Sequence, residues 1–241
     1  IGEKFMCTSF IYRGQDTIIG MNFDNNGMKY SIDTKNPNWF TIQVDGGRGK
    51  YPSFGVDCFG RFFNNLLVNS NGKGLYRRPS KKVTHTTKLI KDIFNGAICV
   101  ENLEEYLSNV EVVNTPDWSC HNMICDSHSN VYVIEPGRGN IINKANSSSY
   151  FVMTNFSLWD YLHENIEYTC DRFKKVSSDF EKADKVDIEK AFSILESTCQ
   201  RNSEWTTAFS MVYSKNLNTV YYCLNGNFNK RFEYKFLCYK N

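Results

Sequence analysis

The chain has 241 residues, with 28 Lys and Arg against 26 Asp and Glu and 41% hydrophobic residues. That length supports one large core or two small ones, and a net charge of +2 spread along the sequence excludes a nucleic-acid surface or a polybasic membrane patch on composition. Apolar runs, such as those at 151–153 and 209–213, fall far short of the ~20 residues of a spanning helix, and nothing near Ile1 resembles a secretory signal. The expectation is a cytoplasmic protein with no membrane and no nucleic-acid partner.

Residues 7–12 and 17–24, rich in β-branched and aromatic side chains, flank a Gly14-Gln15-Asp16 turn and predict a hairpin. Strands at 39–44 and 62–68 follow, with the loop Asp45-Gly46-Gly47-Arg48-Gly49 between them. No helical pattern succeeds those glycines and their spacing matches no P-loop, so they form a turn and not a phosphate cradle. Leu89, Ile90, Ile93, Phe94 and Ala97 recur at helical spacing, as do Leu103, Tyr106, Leu107 and Val110. Strands return at 121–126, 131–135 and 150–155, separated by turn residues at 127–130 and by Pro136-Gly137-Arg138-Gly139. Two more helices are expected, at 171–180 and beyond an N-cap at Asp187, where Ile188, Ala191, Phe192 and Leu195 face inward. The end is all strand: 209–213 and 219–224 flank a turn at 214–218, and Phe232, Tyr234 and Phe236 alternate with charged residues. Runs of hairpins separated by helices predict the α+β class, antiparallel sheets covered by helices, in a single domain.

The nine cysteines are odd in number and lack any CxxC pair, which argues against a disulfide framework or a zinc site. Cys99, Cys125, Cys223 and Cys238 lie in or beside apolar stretches, where free cysteine acts as a small hydrophobe. His85, His121, His128 and His163 show no ligand spacing, so no metal is expected. Cys7 differs because it opens the first strand a few residues from Ile1. With the preceding residues removed it would own a free α-amine of pKa ~7.7–8.0, able to take the thiol proton directly or through a water.

The stretch Met6-Cys7-Thr8, with Gly20-Met21-Asn22-Phe23-Asp24 ending the next strand, resembles the N-terminal-nucleophile hydrolases of the choloylglycine hydrolase family, which includes bile salt hydrolases, penicillin V acylases and acid-ceramidase-like amidases. Asn69-Ser70-Asn71-Gly72-Lys73-Gly74-Leu75 looks like the family's Asn-Glu-Lys-Gly-Leu turn. Cys125-Asp126-Ser127 with 131–135 looks like its hairpin ending in Val-Ile-Glu, and Val152-Met153-Thr154-Asn155 is similar to its Thr-Asn strand end. Asp171-Arg172-Phe173 and the strand 207–213 continue the series, so the matches run in order over nearly the whole chain. The resemblance implies a four-layer αββα sandwich, hydrolysis of a linear carbon–nitrogen amide bond through a thioester, no cofactor, and a tetramer. It also implies roles: Cys7 as nucleophile, Asp24 holding the α-ammonium, the Asn71 backbone N–H and the Asn155 side chain as oxyanion donors, and Arg172 as fixed charge beside the thiolate.

Two features depart from the family pattern. Met21 stands where the family has an arginine beside the nucleophile, and a thioether offers neither charge nor a hydrogen-bond fork, so the sequence describes a weaker enzyme, one with a different substrate, or one in which Arg172 or Arg61 compensates. Residues 1–6 precede Cys7, with Met6 reading either as an initiator methionine or as the end of a propeptide that the protein cuts itself. As written, the chain is expected to be a precursor, with the domain proper at 7–241. Phe23, Phe59, Phe62 and Trp159 are candidates to line a pocket for the acyl group of a small-molecule amide. Two alternatives keep the fold: a binding module that has lost catalysis, and an acyltransferase that passes the same acyl group to an amine.

Overall fold

The computed structural model describes residues 7–47, 49–164, 170–201 and 204–237. Strands β1 (Thr8–Arg13) and β2 (Thr17–Asn25) form the expected hairpin, paired from Arg13 opposite Thr17 to Thr8 opposite Asn22. β12 (Tyr150–Met153) pairs with the free edge of β1, and β13 (Thr206–Ser214) with that of β2; β14 (Thr219–Leu224) and β15 (Phe232–Lys235) complete a six-stranded antiparallel sheet. A second antiparallel sheet of seven strands runs β11 (Gly139–Asn143), β10 (Val131–Glu135), β9 (Cys120–Cys125), β6 (Phe62–Leu67), β5 (Lys50–Asp57), β4 (Trp39–Asp45) and β3 (Tyr30–Asp33). The short strands β7 (Val83–His85) and β8 (Glu111–Val113) pair in parallel beside them.

Side-chain alternation sorts these strands into layers. Ile11, Met21, Phe54, Val133 and Met211 interdigitate between the two sheets, with Cys7 at the end of that layer. The opposite face of the first sheet, with Phe10, Ile18, Val152 and Val212, is covered by α4 (Asp171–Glu181) and α5 (Ile188–Ser197) through Val176, Phe180, Phe192 and Leu195. The outer face of the second sheet, with Phe63, Ile124 and Tyr132, is covered by α1 (Thr86–Phe94) and α2 (Leu103–Asn109) through Leu89, Ile90 and Leu103. The result is the expected helix–sheet–sheet–helix sandwich of the α+β class. Asp187 caps α5 as its position suggested, accepting from the Lys190 N–H at 2.9 Å.

Several elements differ from the sequence reading. The glycine loop at 45–49 joins β4 to β5 and not to β6; β5 carries Pro52 and Gly55, residues that weaken a strand pattern, and Pro52 sits where the β4–β5 register shifts. β3 and β11 are edge strands of half-exposed, largely polar residues, and α3 (Leu158–His163) is too short to show a period. Among the cysteines, Cys125 and Cys223 are fully buried and Cys99 is exposed. Cys58 takes part in a disulfide, which the odd cysteine count and the lack of a CxxC pair gave no reason to expect. The expected leader at 1–6 and Cys238 lie outside the described residues. No described helix is long and apolar enough to cross a membrane.

One close approach lies within the first sheet, on its helix-covered face. The Phe10 ring lies across Gly20 on the neighbouring strand, so a Cβ built there would stand 2.2 Å from the Phe10 Cζ. Gly20→Ala is therefore predicted to destabilise the fold by ~1–3 kcal/mol, the usual cost of overpacking a full core. Urea unfolding should show a lower midpoint at an unchanged slope, and an unchanged midpoint would contradict this packing.

Candidate active site

The site is set by the ends of four strands. Ser9 pairs with Met153 and Thr8 with Asn22, so continuing both registers by one or two residues brings Cys7 beside Asn155 on one side and beside the end of β2 on the other. Thr207 pairs with Asp24 across the next strand boundary. A one-residue slip in β1 would send Cys7 to the helix-covered face, where its partners are absent.

Cys7 is buried at the end of the layer between the sheets. Its nitrogen, a peptide amide because Met6 precedes it, donates to Asn155 Oδ1 at 2.6 Å, and its thiol donates to the Asp24 carbonyl oxygen at 3.8 Å. Asn155 Nδ2 donates to the Leu67 carbonyl at 2.8 Å, which leaves its second N–H for another acceptor. Arg172, near the start of α4 and itself buried, donates through Nη1 to the Cys7 carbonyl and to Thr8 Oγ1, the latter at 3.1 Å. The α4 N-cap is Cys170, whose sulfur accepts from the Phe173 N–H at 3.3 Å and lies 2.8 Å from Thr154 Oγ1, so the helix start that carries Arg172 is fastened next to Asn155.

Asp24 is fully buried, and Thr207 Oγ1 donates to its Oδ1 at 2.5 Å while Oδ2 has no hydrogen-bond partner among the described residues. Burial, opposed in part by the Thr207 hydrogen bond and the Arg172 charge, raises the Asp24 carboxyl to about 7. Burial, and then the Asp24 charge, push the Cys7 thiol up to about 12, against the opposing pull of Arg172. With an amide on its nitrogen, Cys7 is therefore a protonated, unreactive thiol at neutral pH.

Of the five residues expected to carry chemistry, the structure brings four together: Cys7, Asp24, Asn155 and Arg172. Asn71 lies on the exposed loop at 69–74, where its Oδ1 accepts from the Lys73 N–H at 2.9 Å and its Nδ2 donates to the Gly137 carbonyl at 3.3 Å; none of these bonds reaches the other four. Met21 is fully buried in the core layer that contains Cys7. Of the two arginines expected to compensate for it, Arg172 is at the site, whereas Arg61 is paired with Asp57 at 2.5 Å and Glu101 at 3.6 Å. Phe23 packs against Tyr30 and Phe54, and Phe62 is a core residue. Phe59 is exposed on a turn under the Arg61 guanidinium, and Trp159 stacks on His163 and covers Gly139. Among the described residues, no group of three His, Cys, Asp or Glu side chains is placed to hold a metal ion.

The sequence reading missed the groups that hold the corner after Asn155. Glu135, at the end of β10, accepts from Ser157 Oγ at 2.5 Å and from the Leu158 and Trp159 N–H groups at 2.9 and 3.2 Å, tying the start of α3 to the second sheet. Its Oε1 lies 3.0 Å from His121 Nδ1, and both side chains are fully buried. Burial alone would raise the Glu135 carboxyl, but the His121 and Ser157 hydrogen bonds and the Leu158 N–H bring it below its ordinary range. A lone glutamate at a strand end and a lone histidine fourteen residues earlier carry no spacing that signals this pairing.

The strand order, layering and helix placement define the sandwich fold of the N-terminal-nucleophile hydrolases. Solved structures share it over most of their length. A cysteine-to-alanine mutant of conjugated bile acid hydrolase from Clostridium perfringens superposes with a TM-score of 0.70, at 15% sequence identity, over 95% of this chain and 92% of that one. Penicillin V acylase from Agrobacterium tumefaciens gives 0.62 at 16% identity, over 90% and 83%, and the Caenorhabditis elegans ortholog of N-acylethanolamine-hydrolyzing acid amidase gives 0.60 at 14% identity, over 86% and 92%. At such identities the likeness is one of fold. No protein-family model and no curated protein sequence matches the chain.

The raised Asp24 carboxyl has a consequence for stability. From an ordinary value near 3.8 it rises to about 7 in the folded chain, so between those values the folded state holds a proton that the unfolded state has lost, and stability falls as pH rises through that window. At ~1.4 kcal/mol per unit, a shift of about three units amounts to on the order of 4 kcal/mol. Asp24→Asn should match the parent near pH 4 and exceed it by up to that amount above pH 7, measured by urea unfolding at each pH. A constant difference between the two proteins would contradict the assignment.

Proposed function

We propose that this chain, once its backbone begins at Cys7, is an N-terminal cysteine amidohydrolase of the choloylglycine hydrolase type that cleaves a linear carbon–nitrogen amide bond. The observation that carries this reading is the convergence of Cys7, Asp24, Asn155 and Arg172 at the ends of β1, β2 and β12 and the start of α4. The sandwich fold shared with a conjugated bile acid hydrolase, a penicillin V acylase and an N-acylethanolamine-hydrolyzing acid amidase supports it.

Hydrolysis of the Met6–Cys7 peptide bond by a peptidase, in which water supplies the hydroxyl to the Met6 carbonyl and a proton to the Cys7 nitrogen, converts that nitrogen from an amide into an amine. That amine lies within reach of Asn155 Oδ1 and at the same strand ends as Asp24, whose free Oδ2 is a buried acceptor suited to an ammonium. The amine takes the thiol proton, and the thiolate attacks the substrate carbonyl carbon as its π-electron pair moves onto oxygen. The second Asn155 N–H stabilises that oxyanion. Collapse breaks the carbon–nitrogen bond, the ammonium on Cys7 gives its proton to the departing amine, and a thioester remains. Water, deprotonated by the same amine, attacks the thioester to release a carboxylic acid and restore the thiol. The Arg172 guanidinium favours the thiolate and holds the Cys7 carbonyl, fixing the direction of the nucleophile.

The test uses protein whose N-terminus is verified by mass spectrometry to be Cys7, assayed against conjugated bile salts, penicillin V and N-acylethanolamines. At least one class should be hydrolysed. Cys7→Ala should abolish turnover, and Asn155→Ala should lower kcat by roughly 10²–10³-fold, the usual loss for one oxyanion donor. Full activity in protein that retains Met6, or in Cys7→Ala, would overturn the reading.

A further inference from the structure

Resting on the amidohydrolase reading, we propose that Thr207 is a positioning residue for the Asp24 carboxylate, occupying Oδ1 so that Oδ2 is kept for the ammonium that forms on Cys7. Thr207 is 3% exposed, and its Oγ1 donates to Asp24 Oδ1 at 2.5 Å. A hydroxyl has one proton to give, and here its direction is fixed. The Gln200 N–H donates to the same Oγ1 at 2.8 Å, and the Thr207 N–H returns a bond to the Gln200 carbonyl at 2.9 Å. With a donor already on its oxygen, the hydroxyl turns its proton to the carboxylate.

A bulge in β13 makes this contact possible. Phe23 and Phe209 pair across β2 and β13, and both face the layer between the sheets. In an unbroken ladder Thr207, two residues before Phe209, would face that layer as well, whereas Asp24, one residue after Phe23, faces away from it. The register shifts between Thr207 and Phe209, so Ala208 is the extra residue and Thr207 comes opposite Asp24 on the same side. Ala208 joins Phe209 in the layer between the sheets, and its carbonyl accepts from the Tyr30 hydroxyl at 3.0 Å and from the Asn225 N–H at 2.9 Å. Two donors thus hold the bulge that aims Thr207.

The two carboxylate oxygens are thereby given different tasks. Oδ2 is buried and has no hydrogen-bond partner among the described residues. Below about pH 7 the carboxyl carries a proton, and with Oδ1 taken by Thr207 that proton sits on Oδ2. The ammonium on a freed Cys7 nitrogen takes its place, and the displaced proton leaves to solvent. The titratable and charged groups facing the carboxyl are Arg172 on α4, the Cys7 thiol before β1 and the Cys199 thiol after α5. Arg172 favours the ionised carboxyl through its charge, and Thr207 does so through a directed hydrogen bond that also fixes its orientation.

Two measurements test the assignment. The first uses protein retaining Met6 and follows urea unfolding across pH 4 to 9. Stability of the parent falls as pH rises and levels off near pH 7, where the folded carboxyl loses its proton. Loss of the Thr207 hydroxyl should carry that end point above pH 7 in Thr207→Val, or in Thr207→Ala if the valine variant does not fold, and Thr207→Ser should restore it. The second uses protein beginning at Cys7 and whichever of conjugated bile salts, penicillin V and N-acylethanolamines it hydrolyses. Thr207→Val should lower kcat by roughly ten- to hundredfold at unchanged KM, the usual effect of losing one hydrogen bond to a charged group. Thr207→Ser should recover most of that loss, and in an Asp24→Ala background Thr207→Val should have no further effect. If no amide is turned over, the amidohydrolase reading fails, whereas the unfolding series still decides whether Thr207 holds the carboxyl. An unfolding difference constant with pH, or a loss of kcat equal with and without Asp24, would overturn the positioning role alone.

Discussion

The register of β1 against its two neighbours is the constraint on which the site depends. Pairing with β12 and β2 fixes which side chains meet Cys7, and the 2.6 Å bond from its nitrogen to Asn155 Oδ1 is the direct product of that register. Because alternate residues of β1 face opposite layers, the same register sends Phe10 under α4 and Ile11 into the space between the sheets. The packing that stabilises the sandwich and the convergence that makes the site chemically interesting are thus one arrangement.

Burial is what makes the reactive groups unusual. Fixed in an apolar layer beside Met21, the Cys7 thiol is held near 12 and the Asp24 carboxyl near 7, and Arg172 is the buried charge that opposes both shifts. In the proposed reaction, a new positive charge on the Cys7 nitrogen would reverse this balance: it would satisfy the free Asp24 Oδ2 and lower the thiol toward neutrality. The same sulfur is then inert behind a peptide bond and nucleophilic beside an amine.

Much of this was legible in the sequence, and the remainder was not for physical reasons. Period-two alternation around a Gly/Asp turn made β1 and β2 readable, and helical spacing of Leu89, Ile90 and Ile93 made α1 readable, because each buries one face. Edge strands β3 and β11 bury too little to leave a pattern, and Pro52 and Gly55 disguised β5. At the site, Cys7, Asp24, Asn155 and Arg172 stood out through ordered motifs. The Leu67 carbonyl and the Thr207 hydroxyl did not, since a backbone acceptor has no residue signature and a strand threonine has many ordinary roles. The Glu135–His121 pair escaped because its two members sit on adjacent strands and meet only when the sheet forms. Aromatic content pointed to Phe23 and Phe62, which the sandwich uses as core.

The central claim is that a free amine on Cys7 switches its thiol from inert to nucleophilic. The most direct measurement is the rate of iodoacetamide alkylation at Cys7, followed by peptide mass spectrometry across pH 5 to 10 in two proteins, one beginning at Cys7 and one retaining Met6. The account predicts rapid alkylation near neutral pH in the first and almost none below pH 10 in the second, where the thiol stays near 12. Equal rates in the two proteins at neutral pH would contradict it.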